Sequence, residues 1–312
     1  MSFAGCSKRW FQNGMNEYLE KVREAILKKD KSLVERLTAQ YADAEVTPQE
    51  IVEFSRSFGT RLKAELRGSI NINGAGGSHI PKPNITSIAA MYLAAITGLR
   101  VVKTGSGVYS GLWGSSDFFR ELGMLNPEKR NNCLQRYGFA YYDYLEISAW
   151  KEYKPVMLKN RALSRVFWEI VFFDYEADMY FLGISNPFSH TALAERLTLE
   201  NRPRRMITYY TQTEQGCLDE AAPGQLFVDN RLFYQTDSGA VPPLQDLREL
   251  RRINRRLLVG QETGYWKECL KITCALCLLQ LGRVACMEEG MQSFERAYRE
   301  KALKPLLSVL EA

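Results

Sequence analysis

Two glycine-rich turns, Gly74-Ala75-Gly76-Gly77 and Thr104-Gly105-Ser106-Gly107, are the stretches of this 312-residue chain best suited to hold an anion. Each follows a short β-like run and leads toward a helix. Glycine lets a backbone approach a ligand closely, and a helix N-terminus offers unpaired N–H donors. Asn84-Ile85-Thr86-Ser87 opens an apolar helical segment, so its hydroxyls lie near the first turn. Lys103, at the end of the run Leu99 to Val102, adds a cation beside the second glycine turn. Together these residues suit a phosphate cradle. Their spacing is neither that of a P-loop nor a full dinucleotide fingerprint. The same residues equally suit two tight βα turns with no ligand.

The other reactive side chains are few. His79 and His190 are the two histidines, which argues against a histidine triad or a histidine-rich metal site. His79 lies inside the first glycine-rich loop, within reach of a ligand there; His190 reads as a helix-start or surface residue. Asp219-Glu220 follows Gln215-Gly216-Cys217-Leu218 and lies just past a buried strand, where α/β sheets place ligands. Adjacent carboxylates suit magnesium, a hard cation that takes one or two carboxylates plus substrate phosphates. Such a pair in a loop is also common without any metal. Cys274 and Cys277 make a C-x-x-C inside ITCALCLLQL, which reads as a buried helix rather than a metal or redox site.

The elements that must position these groups follow from the hydrophobic pattern. Residues 1–67 read as helical throughout, with Thr47-Pro48-Gln49-Glu50 a capping-box helix start. Beyond them, strands and helices alternate. Short helices are expected over 116–122 and from Asn126 to Gly138, and a polar helical segment over 146–166. VFWEIVFF (166–173), MYFLGIS (179–185) and RMITYYT (205–211) read as strands, His190 to Leu199 as helical, and Phe227 to Gln235 as a hairpin about Asp229-Asn230. The C-terminal third turns helical. The expected fold class is α/β: a small all-helical domain plus a larger α/β domain with a mostly parallel central sheet flanked by helices. The domains are placed at 1–67, joined by a helical segment near 127–166, and at 68–126 with 167–312.

Composition sets outer limits. At 46% hydrophobic and 25% charged the chain is ordinary for a globular protein. Net charge is +5, with both signs interspersed. The densest basic run, Arg248 to Arg256, reads as a solvated helix face, which argues against nucleic acid as a partner. No apolar stretch has the length of a membrane span, and the N-terminus lacks a signal-peptide core. Seven scattered cysteines point to reduced thiols and a cytoplasmic location.

The two glycine-rich stretches extend into longer blocks. GAGGSHIPKPNITS, from Gly74 to Ser87, and KTGSGVYSGLWGSSD, from Lys103 to Asp117, align without gaps to two blocks of one family, and Gly216 to Glu220 matches a third with one extra residue. Thr47 to Ile51 and MEEGMQSFERA resemble that family's helix start and C-terminal helix. The chain resembles the anthranilate phosphoribosyltransferase family, related to the pyrimidine nucleoside phosphorylases, along nearly its whole length. The resemblance implies an enzyme, a pentosyltransferase, that binds 5-phosphoribosyl-1-pyrophosphate (PRPP) with Mg2+ and moves the phosphoribosyl group onto a small acceptor. It implies that Gly74, Gly76, Gly77, Ser78, Asn84, Thr86, Ser87, Lys103, Gly105, Ser106, Ser110 and Ser115 bind PRPP. It implies that Thr86, Asp219 and Glu220 bind the metal, and that Thr104, His79, Lys154 and Met157 border the acceptor. A homodimer through the small helical domain is also implied.

The departures from the family pattern bear on substrate. The family's aspartate after the paired glycines is Ser78 here, and its threonine four residues later is Lys82. Thr104, Ser106 and Gly107 stand where the family has His, Asn and Arg. Met157 replaces the arginine that grips anthranilate's carboxylate, and Met cannot pair with a carboxylate. Lys151 or Lys154 could substitute from a neighbouring turn. These changes predict an acceptor other than anthranilate, aromatic and less acidic, in specialised metabolism; the aromatic stretch Tyr137 to Trp150 falls where its pocket would be, and buried packing explains many of those rings equally well. A non-catalytic nucleotide- or nucleic-acid-binding relative and a metal-independent nucleoside phosphorylase are the alternatives.

Overall fold

Strand β1 (Ser69–Gly74) alternates Ile70 and Ile72 with Asn71 and Asn73, and the two isoleucines pack into the main apolar core. Helix α3 (Ile85–Thr97) follows and is apolar almost all round, so it is buried along most of its length; Gly98 ends it in a left-handed turn. Strand β2 (Arg100–Gly105) then pairs parallel to β1. The computed structural model describes residues 17–41, 46–47, 50, 53–54, 69–74, 80–105, 107, 113–143, 153, 156, 160, 177–185, 205–237 and 239–311.

The chain divides into two compact units, 1–59 with 149–169 and 60–148 with 170–312. In the second unit, α4 (Ser115–Glu121) and α5 (Pro127–Tyr137) lead to β3 (Phe139–Asp143), followed by β4 (Met179–Gly183) and β5 (Arg205–Thr213). These five strands lie in the order β3-β2-β1-β4-β5, all parallel. β6 (Gly216–Leu218), β7 (Gln225–Val228) and β8 (Arg231–Gln235) add antiparallel pairs beyond β5. Asp229 and Asn230 join β7 to β8 with φ of 48° and 60°, the geometry of a tight hairpin turn at the predicted dipeptide. Helices α6 (Leu247–Leu258), α7 (Tyr265–Gln280), α8 (Met287–Arg299) and α9 (Lys304–Glu311) complete the unit. The fold is the expected α/β class, with a mostly parallel sheet flanked by helices.

Chain direction matters for the site. From β1 the chain moves outward through β2 to β3, then returns to the other side of β1 to lay down β4 and β5. The order reverses between β1 and β4, and ligands of open α/β sheets sit at the carboxyl ends of such strands. Gly74 and Gly183, the last residues of β1 and β4, are register partners there.

One stretch takes the packing alternative that the sequence left open. Phe139 to Asp143, part of the stretch assigned to an acceptor pocket, is the buried edge strand β3. Tyr141 stacks on Phe119 at 4.3 Å, and Arg130 lies 4.4 Å over the Tyr142 ring, so these rings serve packing. Cys274 and Cys277 are buried on α7, as the sequence implies. Among the described residues no helix is long and apolar enough to cross a membrane. The expected strand at 166–173 and helix at 190–199 lie outside the described residues.

In the first unit, α1 (Glu17–Leu27) and α2 (Lys31–Gln40) bury Leu19, Val22, Ile26, Val34 and Leu37. Asp30 caps α2 by accepting from Leu33 N at 3.0 Å. Buried Asn160 donates to the carbonyls of Thr38 and Tyr41, satisfying the end of that helix. The Thr47 capping box forms both reciprocal bonds, Thr47 N to Glu50 Oε2 at 2.8 Å and Glu50 N to Thr47 Oγ1 at 3.2 Å.

Candidate functional site

Three oxygens converge on the end of β1. A β-carbon placed on Gly74 would lie 3.1 Å from Asp219 Oδ2, 3.3 Å from Thr86 Oγ1 and 3.8 Å from Glu220 Oε1. Thr86 is in the first turn of α3. Asp219 and Glu220 arrive from a different direction. β5 runs four residues past its last pairing with β4, turns through β6, and returns the chain to the carboxyl edge of the sheet. The pair then crosses directly over Gly183, whose missing side chain leaves room for the Asp219 carbonyl. Thr211 fixes this return by donating to the Glu220 carbonyl and accepting from Ala222 N, both at 2.9 Å.

The site is nearly dry and strongly charged. Asp219 and Glu220 are 1% and 3% exposed. Lys82, on the segment leading into α3, makes an ion pair with Asp219 Oδ1. Burial disfavours its charge, yet Asp219 and Glu220 together raise its pKa above the usual lysine value. Burial pushes the Glu220 carboxyl up to about 8, with Asp219 adding to the rise and Lys82 opposing it. Lys103, 1% exposed, donates to Asn73 Oδ1 at 3.1 Å and the Thr104 carbonyl at 2.9 Å. Burial pulls it down to about 8, and the neighbouring carboxylates oppose that fall. Tyr209 sits in register with Gly183 and is held well above the phenol range by burial and by Glu220.

A lysine whose folded pKa is depressed holds fewer protons than it does in the unfolded chain. Between pH 8 and 10.5 folding therefore gains from rising pH, because the unfolded chain must bind a proton that the folded one has shed. Lys103→Met should remove this gain, up to about 1.4 kcal/mol per pH unit of slope. Chemical denaturation of both proteins across that window checks it.

The second glycine block joins the first. Ser87 Oγ and Ser115 Oγ lie 3.2 Å apart, linking the first turns of α3 and α4. A β-carbon on Gly105 would come within 2.9 Å of Ser115 Cβ, whereas one on Gly107 would meet, among the described residues, only Asp117 Oδ2 at 3.9 Å. Ser116 donates to Asp143 Oδ2 at 2.6 Å, so the Tyr141 hydroxyl 2.7 Å away donates to Ser116. Asp117 caps α4 through Gly114 N.

Of the residues that the resemblance implies, Gly74, Thr86, Asp219 and Glu220 come together, with Asn84, Ser87, Ser115, Gly105 and Lys103 around the same sheet edge. Thr104 is fully buried and bonds to Asn71 and Asn73. Gly76, Gly77, Ser78, His79, Ser106, Ser110, Lys154 and Met157 lie outside the described residues.

Sequence reading missed Gly183, Asn254 and the pairing role of Lys82. Asn254, 1% exposed on α6, accepts from Asn84 N at 2.9 Å and donates to Asn84 Oδ1 at 2.8 Å, securing the start of α3. Its signal was an amide on the apolar stripe of Leu250, Ile253 and Leu257. Asn254→Leu should cost about 2–3 kcal/mol by orphaning the Asn84 amide, measured by urea denaturation. The arginines of α6 are partly neutralised: Arg251 pairs with Glu121 at 2.7 Å and lies over Trp113, and Arg256 pairs with Glu262 at 3.1 Å.

This fold recurs in solved proteins. Anthranilate phosphoribosyltransferase from Thermus thermophilus superposes with a TM-score of 0.70 at 21% identity, covering 96% of this chain and 97% of that one. A Desulfitobacterium hafniense anthranilate phosphoribosyltransferase is 25% identical over 273 residues, 78% of each chain. The chain is similar in sequence and fold to anthranilate phosphoribosyltransferases. The Pyrobaculum arsenaticum phosphoribosyltransferase is 31% identical over 118 residues, only 36% of this chain and 34% of its own length. The Saccharomyces cerevisiae enzyme, solved in complex with PRPP and Mg, superposes with a TM-score of 0.70 at 14% identity. No protein-family model matches the chain, in keeping with this distance from its phosphoribosyltransferase relatives.

Proposed function

We propose that the chain is a phosphoribosyltransferase that takes PRPP with Mg2+ and transfers the phosphoribosyl group to a small aromatic acceptor other than anthranilate. The observation that carries the reading is the convergence of Asp219, Glu220 and Thr86 oxygens beside Gly74, at the point where the strand order reverses.

The residues present fit a divalent cation. All three side chains offer hard oxygens, and Glu220 Oε2 is buried with no hydrogen-bond partner. Asp219, Glu220 and the Thr86 hydroxyl would hold the ion, which when bound supplies positive charge against the departing pyrophosphate. The chain itself does the positioning. The first turn of α3, with Ser87 and the Asn254-anchored Asn84, presents N–H and hydroxyl donors to the phosphates. Ser115 extends that row from α4. In the reaction the bond from ribose C1 to pyrophosphate breaks, a bond from the acceptor nitrogen to C1 forms, and the nitrogen loses its proton. Little proton chemistry is asked of the protein, consistent with two histidines in the chain.

The acceptor reading is supported by Met157, which stands where the family grips a carboxylate. Pyrophosphate release with PRPP, Mg2+ and a panel of aromatic amines tests it. Turnover is expected with an uncharged aromatic amine, and efficient turnover of anthranilate would contradict the proposed specificity. A homodimer and a place in specialised metabolism remain part of this proposal.

A further inference from the structure

We propose that Lys82 is a built-in cation of the Asp219–Glu220 pair, which keeps divalent metal out of the ligand-free site. The inference rests on the PRPP reading above, because it concerns how that site admits its metal. Lys82 pairs with Asp219 Oδ1, with side chains only 14% and 2% exposed, and its charge also faces Glu220. A metal taking Asp219 Oδ1 would meet an ammonium at the same oxygen, and like charges at that separation repel strongly where water is scarce. Pro81 and Pro83 flank Lys82 and fix two backbone φ angles beside it. The lysine is therefore delivered by a stiff segment rather than a free loop.

The consequence is a division of labour. Without an anionic ligand, Lys82 neutralises Asp219 and the pair is held together with no metal. An incoming pyrophosphate supplies phosphate oxygens that both the ammonium and a metal can use, so the cation is admitted together with the anion. Lys82 thereby sets the metal affinity of the empty site.

Mn2+ titration of the metal-free protein, followed by water-proton relaxation and without PRPP, tests the idea on the wild type, Lys82→Met and Lys82→Arg. Lys82→Met should bind Mn2+ at least about tenfold more tightly than wild type, a change of about 1.4 kcal/mol. Lys82→Arg should match wild type. Mg2+ should raise the melting temperature of Lys82→Met and leave the wild type unmoved. Equal Mn2+ binding by wild type and Lys82→Met would overturn the proposal. Should Lys82→Met fail to fold, the wild type decides: Mn2+ bound tighter than about 10⁻⁵ M, the weak end of calcium-sensor sites, overturns the proposal, and weaker binding supports it. Because PRPP is left out, a chain that never binds PRPP would sink the proposed substrate, while the Mn2+ comparison would still decide the role of Lys82.

Discussion

Gly183→Ala is expected to destabilise the protein by at least about 3 kcal/mol, the upper end of what overpacking costs, and to abolish ligand binding at the site. The new β-carbon would sit 1.9 Å from the Asp219 carbonyl oxygen and 2.8 Å from its carbon, both backbone atoms. No rotamer change relieves such a contact. Either β4 leaves its register with β1, or the Asp219–Glu220 segment lifts off the sheet. The second route removes both carboxylates from Gly74 and Thr86. Gly107→Ala is the control: among the described residues its β-carbon meets only Asp117 Oδ2 at 3.9 Å, and its effect should stay within about 0.5 kcal/mol. Thermal and urea unfolding of the two variants check the contrast, which would fail if Gly183→Ala were as mild as Gly107→Ala.

Asp219→Asn should cost about 3–5 kcal/mol, the usual penalty for leaving a buried charge without its partner. The group that loses its direct ion-pair partner is Lys82, whose ammonium both carboxylates support despite burial, so Glu220 is left to oppose part of the loss. Lys82→Met combined with Asp219→Asn should recover more than half of that loss, since the pair is then removed as a unit. A coupling energy above about 1 kcal/mol in the double-mutant cycle is expected. Simple additivity of the two changes would show that the ion pair does not hold this corner of the fold together.

The sequence was most informative where chemistry is local. The Thr47–Glu50 capping box, the Asp229-Asn230 turn and the buried C-x-x-C helix each depend on residues a few positions apart, and each is present. The glycine-rich blocks were legible as backbone that something must approach closely. What approaches Gly74 is the chain's own Asp219, Thr86 and Glu220. Gly183 was illegible because a glycine ending an apolar run carries no periodic signal, and its need arises only when a segment far along the chain crosses it. The pairing of Lys82 with Asp219 spans 137 residues and is equally a product of tertiary folding. β3 was missed because Tyr141 and Tyr142 suit both a pocket wall and a strand. The structure puts them in the strand, where packing against Phe119 and Arg130 accounts for them.

The most direct test of the central claim is calorimetric titration of PRPP into the protein with and without Mg2+, repeated on Asp219→Ala/Glu220→Ala. The account predicts binding that requires Mg2+ and is lost in the double variant. No binding by the wild type under either condition, or equal binding by the double variant, would contradict it.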